Sequence, residues 1–142
     1  MTGKWTLCLL APFLAAASPA SAKAPSLPGA GEAVHMTGTE PFWSADIHGR
    51  RMVLAWPENE KGVAVRVARR QIGNRLVFAG TLIRHPHFMS AGRFTITLVR
   101  ASCSDGMSDR TFPYDVTIAS GGTRTTGCAY TARRPYREDP VD

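Results

Sequence analysis

The stretch RFTITLVR, residues 93–100, shows the pattern that decides the fold. Apolar and polar side chains alternate along it, with Phe94, Ile96 and Leu98 on one side and Thr95 and Thr97 on the other. Because successive side chains of a β-strand point to opposite faces, this alternation predicts a strand with one buried face.

The same alternation recurs on both sides of this strand. Six further segments show it, separated by short links that contain Gly or other turn residues: FWSADIHG, RRMVLAW, GVAVRVAR, IGNRLVFAGTL, YDVTIAS and TRTTGCAY. AVHMTG, residues 33–38, adds an eighth strand at the front. Short links between consecutive strands predict an antiparallel meander. One buried face on each strand predicts a small all-β barrel of seven to eight strands, closed or nearly closed, with a two-sheet sandwich as the alternative.

The first 22 residues have the features of a signal peptide. Lys4 precedes the apolar stretch WTLCLLAPFLAAA, and residues 20–22 form the small-residue pattern ASA that signal peptidase reads. The apolar stretch is too short and too interrupted by proline to span a bilayer. We therefore expect cleavage near Ala22, a periplasmic or secreted location, and no transmembrane segment.

The remaining chain is predicted to form one domain between two loosely ordered ends. KAPSLPGAGE, residues 23–32, is rich in Pro and Gly and predicts a flexible linker. ARRPYREDPVD, residues 132–142, predicts a disordered tail. Residues 33–131 then form the barrel domain, a length that can bury its own core.

Two cysteines are expected to form a disulfide in this domain. Removal of Cys8 with the signal peptide leaves Cys103 and Cys128. An even pair in an oxidising compartment most simply forms one disulfide, with two reduced thiols as the alternative. Such a bond would close a loop of about 25 residues and stabilise the fold by roughly 3 kcal/mol.

The charge of the chain favours acidic partners. It carries 17 Lys and Arg against 11 Asp and Glu, for a formal net charge of +6. Anionic lipid headgroups, acidic glycans or an envelope protein would suit such a surface, and a solvated basic face without a specific partner is the simpler interpretation. Nucleic acid is disfavoured by the export signal, and no motif predicts a cofactor.

The stretch CSDGMSDRTFPY, residues 103–114, is the main candidate for a binding loop. Asp and Gly at positions 105 and 106 are ordinary turn residues, so a turn held by the disulfide is the simplest interpretation. If the loop binds a ligand, the residues that would serve are Ser104, Asp105, Met107, Ser108, Asp109 and Arg110. Two aspartates are few for a calcium loop. Neither serine lies in a G-x-S-x-G elbow, so a nucleophile is not expected.

The segment GTEPFW, residues 38–43, is the second part of the predicted site. Phe and Trp occupy its last two positions, so their rings point to opposite faces of the strand. One ring is expected in the core, and the other is exposed, covered by a loop or part of a ligand site. Glu40 is a carboxylate next to these aromatics, as in sugar-binding clefts, so Glu40 and Trp43 are added to the candidate binding residues. A glycosidase would need a second carboxylate at a defined separation from Glu40, and Asp46, Asp105 or Asp109 would serve only if the fold brings one of them near.

The segment RHPHFM, residues 84–89, offers a weaker metal hypothesis. His85, His87 and Met89 alternate and would project to one side of an extended segment. Imidazole and thioether ligands suit copper. A surface loop is the simpler interpretation, so no metal site is predicted.

GTEPFWS, CSDGMSDRTFPY and a closing GCA together resemble a family of small bacterial envelope proteins whose members are described as lipoproteins or membrane proteins. The resemblance spans residues 38–129. It implies an envelope location and pairing of Cys103 with Cys128, and it implies no activity. Phe112 stands where the family often has tyrosine, and the lipobox cysteine is absent, which argues against a lipid anchor.

Together these features predict a non-enzymatic envelope protein that binds an envelope component or protein through a disulfide-held rim. Two alternatives stay open. One is an inhibitor similar to lysozyme inhibitors, acting through the acidic loop residues Asp105 and Asp109. The other is a periplasmic copper-binding module.

Overall fold

The computed structural model describes residues 2–3 and 26–140. Nearly all of the predicted signal peptide, and residues 23–25 of the predicted linker, lie outside this part of the chain. Within the described residues, no helix has both the length and the apolar character needed to cross a membrane.

In the described part of the chain, nine strands form one continuous antiparallel sheet. They are β1 Val34–Thr39, β2 Phe42–His48, β3 Arg51–Trp56, β4 Asn59–Ile72, β5 Arg75–Leu82, β6 Gly92–Ser104, β7 Arg110–Ser120, β8 Thr123–Tyr130 and the short β9 Arg137–Glu138. Each of the first eight strands pairs with its neighbours in the chain, and β8 also pairs with β1. The predicted barrel is thus confirmed as a closed meander of eight strands plus one extra strand, and the sandwich alternative is excluded.

The inward side chains of the eight barrel strands form one apolar core. The predicted alternation holds in β6, where Phe94, Ile96 and Leu98 are buried and Thr95 is exposed. Every strand from β1 to β8 contributes at least one buried side chain, and Met89 adds a thioether from the loop before β6. Apolar side chains occupy the interior, and the polar grooves lie on the outer surface.

The barrel closes where β1 meets β8, a junction called here the seam. The seam is short, with Thr37 opposite Cys128 as the last of its register pairs. The indole of Trp43 lies inside the barrel beside it, packed on two glycines. A Cβ on Gly38 would lie 2.0 Å from Trp43 Nε1, and one on Gly127 would lie 2.3 Å from the Thr37 carbonyl oxygen. Only glycine therefore fits at these two positions.

A disulfide ties the end of β6 to the seam. Cys103 and Cys128 are bonded, with their Cα atoms 5.7 Å apart. The register of β6 on β7 shifts between Arg100 and Cys103, so β6 contains a bulge just before the disulfide. The single predicted disulfide is confirmed. A small apolar cluster surrounds it, formed by Phe112 with Tyr130 and other rings.

Both predicted flexible ends contact the barrel in their described parts. At the front, the Pro28 carbonyl accepts a hydrogen bond from Arg69, and the Ser26 carbonyl accepts one from the buried Tyr114 hydroxyl. At the C-terminal end, β9 pairs with the start of β7, and the Tyr136 ring packs on Phe112. These contacts join residues that are far apart in the chain, so the composition of the two ends does not reveal them.

Replacing Gly127 with Ala tests the packing of the seam. The new methyl group would meet the Thr37 carbonyl and the Trp43 ring, and overpacking of this kind costs about 2 kcal/mol. We expect a lower urea midpoint than that of the wild type. Gly31→Ala is the matched control, because its Cβ meets nothing within 4 Å. Equal midpoints for the two variants would contradict the proposed close approach.

Candidate functional site

The loop that follows the disulfide is organised by the Asp105 carboxylate. Its Oδ1 accepts hydrogen bonds from the backbone N–H groups of Met107 at 3.0 Å and Ser108 at 2.8 Å. Its Oδ2 accepts one from the Ser108 hydroxyl at 2.7 Å. Gly106 has φ of 73°, a left-handed conformation that favours glycine. The predicted Asp-Gly turn is therefore present, and Asp105 holds it from within.

The same contacts keep Asp105 ionised. Partial burial raises the pKa of its carboxyl group. The hydrogen bonds from Ser108 and Met107 and the nearby charge of Arg110 lower that pKa, and together they outweigh the effect of burial. The resulting pKa is below the ordinary value of 3.8. The loop thus presents a negative charge throughout the physiological pH range.

One hydrogen bond joins this loop to the GTEPFW segment. The Thr39 hydroxyl donates to the Asp105 carbonyl oxygen at 2.6 Å. Thr39 ends β1, and Glu40 follows in the turn to β2, where the Glu40–Pro41 peptide bond is cis. Two segments that are 66 residues apart in sequence are thereby held side by side.

Between the two segments lies a cleft of about 350 Å³, called here the acidic cleft. Residues 37–40 form one wall and residues 103–107 the other. Asp115 of β7 and residues 126–127 of β8 complete it. Its lining contains three carboxylates, those of Glu40, Asp105 and Asp115, and among the described residues that line it none is Lys, Arg or His. The cleft can therefore receive a cationic group.

Four of the predicted binding residues line the acidic cleft: Glu40, Ser104, Asp105 and Met107. Met107 is 65% exposed and projects at the edge. Trp43, in contrast, is buried in the core and supports the cleft from behind through Gly38 and Gly127. Of the two neighbouring aromatic residues Phe42 and Trp43, Phe42 is the exposed one.

The other three predicted residues belong to a neighbouring groove. Ser108, Asp109 and Arg110 line it together with part of the C-terminal segment, residues 139–140. Arg110 Nε lies 3.4 Å from Glu138 Oε1, and its guanidinium carbon lies 4.3 Å from the centre of the Tyr136 ring. Arg110 therefore anchors the C-terminal segment. Asp105 therefore lines the acidic cleft, whereas Asp109 lines the neighbouring groove and not the cleft.

The histidine segment does not gather the predicted copper ligands on one side. His85 and His87 are exposed, whereas Met89 is buried in the core. The segment is a turn and not an extended strand, because Met89 N–H donates to the Pro86 carbonyl at 3.0 Å. Among residues 2–3 and 26–140, no cluster of three His, Cys, Asp or Glu side chains could hold a metal ion.

Asp115 is the site residue that the sequence did not indicate. It lies in the strand YDVTIAS, where an outward polar residue is expected and carries no special signal. Its partners across the sheet are Val99 and Cys128, so barrel closure and the disulfide place it beside the loop. Its place beside the loop follows from the strand register, which the sequence pattern does not specify.

Comparisons with protein-family models, curated proteins and solved structures gave no significant match. The family resemblance of the GTEPFW and CSDGMSDRTFPY segments therefore stays a prediction.

Replacing Asp105 with Asn tests the role of its charge. Because the pKa of Asp105 is lower in the folded chain, its charge contributes stability above the ordinary value of 3.8, and this contribution is lost as pH falls through the folded pKa. We expect the free energy of unfolding of the wild type to exceed that of the variant at neutral pH. The difference should shrink as pH falls below about 4.

Urea unfolding at a series of pH values measures this difference. Asp109→Asn is the matched control, since no hydrogen bond within the described loop ends on the Asp109 carboxylate, and its free energy of unfolding at neutral pH should stay close to that of the wild type. A gap between wild type and Asp105→Asn that stays constant down to strongly acidic pH would contradict the assignment.

Proposed function

We propose that the protein is an exported, non-enzymatic binding protein that recognises a basic segment of another envelope protein through the acidic cleft. The observation that carries the proposal is the charge of this cleft. Three carboxylates line it, although the chain as a whole has a formal net charge of +6. A Lys or Arg side chain is the occupant that this lining would favour.

Screening explains how an acidic cleft can act on a basic protein. At physiological ionic strength the Debye length is about 8 Å, so arginines beyond that distance contribute little inside the cleft. Arg110, whose charge does reach Asp105, is itself paired with Glu138. A cationic side chain that enters it interacts mainly with Glu40, Asp105 and Asp115. The positive surface elsewhere would repel basic partners that do not fit the cleft, which adds selectivity.

Rigidity supports a role in binding. The disulfide, the Asp105 hydrogen bonds and the Thr39 contact fix both walls before any partner arrives. A preformed site loses less conformational entropy on binding than a flexible loop does. Loops held on a rigid scaffold commonly carry recognition.

An inhibitor of a lysozyme-like enzyme is the second candidate, and the same observation favours it. Such enzymes are basic, and the acidic cleft with the exposed Met107 at its edge offers a complementary surface. This candidate differs from the first only in the identity of the basic partner. One experiment can therefore address both.

Site-specific photo-cross-linking in the native host tests the proposal. A photoreactive amino acid replaces Met107, which is 65% exposed at the cleft, and in a control it replaces Ile83, which is 89% exposed in a distant loop. We expect a discrete adduct with a protein only at position 107. Glu40→Gln should weaken this adduct, whereas Glu58→Gln, an equal loss of charge outside the cleft, should not.

The identity of the adduct then separates the two candidates. Recovery of an envelope protein supports the first, and recovery of a c-type lysozyme added to the cells supports the second. Adducts that are equal at positions 107 and 83, or that are unaffected by Glu40→Gln, would contradict the proposal.

A further inference from the structure

A second groove lies on the other side of the β6 bulge, and its charge is opposite to that of the acidic cleft. It has a volume of about 350 Å³ and is formed by residues 100–102, residues 111–113 and residues 134, 135 and 137 of the C-terminal segment. Three arginines line it, Arg100, Arg134 and Arg137, and among the described lining residues none is acidic. We call it the basic groove. It shares no lining residue with the acidic cleft.

Two of these arginines are held in place by the fold. The guanidinium carbon of Arg100 lies 5.5 Å from the centre of the buried Tyr114 ring. The Arg134 guanidinium donates to the Ser26 hydroxyl, and its backbone N–H donates to the Thr131 hydroxyl at 3.1 Å. Their positions are thus fixed by contacts with uncharged groups.

The third arginine is placed by a strand. Arg137 belongs to β9, and its register partner is Thr111 at the start of β7. Across residues 26–140, no carboxylate lies within ion-pair distance of any of the three guanidinium groups. Of the nearby carboxylates, Glu138 pairs with Arg110 and Asp139 accepts a hydrogen bond from the Thr111 hydroxyl. Glu32 is close enough for the charge of Arg134 to lower its pKa, but it does not line the groove.

The bulge adds backbone groups to the same wall. Ala101 and Ser102 have no register partner on β7, and Pro113, which lies opposite them, has no N–H to donate. Both bulge residues line the groove. Backbone amides released from a ladder are suitable donors to an anion.

We propose that the basic groove is a binding site for a phosphate group. Like charges that converge on one groove repel each other, and a bound anion relieves that repulsion. Guanidinium groups bind phosphate through paired N–H donors, and the tetrahedral anion has enough oxygens for several arginines at once. The phosphate can belong to a lipid headgroup or to a small soluble compound, because both present the same chemistry.

Calorimetric titration with inorganic phosphate tests the site, with sodium chloride at matched ionic strength as the reference. We expect saturable binding to the wild type and a loss of affinity of about tenfold or more in Arg100→Gln/Arg137→Gln, since charged hydrogen bonds are strong. Arg70→Gln, an exposed arginine of β4, should bind like the wild type. Urea midpoints verify that each variant is folded.

Vesicles distinguish the two sources of phosphate. Phosphatidylcholine vesicles are compared with vesicles that also contain phosphatidylglycerol, using the same variants in a co-sedimentation assay. Sedimentation with the anionic vesicles that is lost in Arg100→Gln/Arg137→Gln but kept in Arg70→Gln assigns the site to headgroups. Phosphate binding without sedimentation assigns it to soluble phosphate compounds. Absence of both, or equal losses in the two arginine variants, would overturn the proposal.

Discussion

The close approach of β1 and β8 at Gly127 is the constraint on which the rest of the structure depends. It closes the barrel, and it requires that Gly38 and Gly127 leave room for the Trp43 ring. Cys128 follows Gly127 immediately, so the disulfide fastens the end of β6 to the same point. A packing requirement inside the barrel thereby determines where the surface loop of residues 103–108 sits.

Two surfaces of opposite charge result from this arrangement. The end of β6 passes between them, with its bulge facing the basic groove and its disulfide facing the acidic cleft. Because the two grooves share no lining residue, each can be altered by substitution without direct damage to the other. On our proposals, one surface would receive a basic protein segment and the other a phosphate group, so the molecule could engage two partners at once.

Local patterns in the sequence predicted the eight barrel strands, the Gly-bearing turns and the disulfide, because alternation, Gly positions and cysteine number are short-range signals. They also identified Glu40 and Asp105, which do lie on one cleft. They could not predict Asp115, whose place depends on strand register, or the burial of Trp43 and Met89. Nor could they foresee the basic groove, since Arg100 is far in the chain from Arg134 and Arg137 and meets them only through the bulge and the docking of residues 134–137.

Amide hydrogen exchange, measured by NMR before and after reduction of the disulfide, tests most directly whether the seam and its disulfide hold the acidic cleft. Reduction should cost roughly 3 kcal/mol of stability on the chain-entropy model. We predict that the amides of Met107 and Ser108, and those of β8 near Cys128, lose protection first. The central strands β3 to β5 should keep their relative protection. Uniform loss across the barrel, or unchanged protection in the loop, would contradict this account.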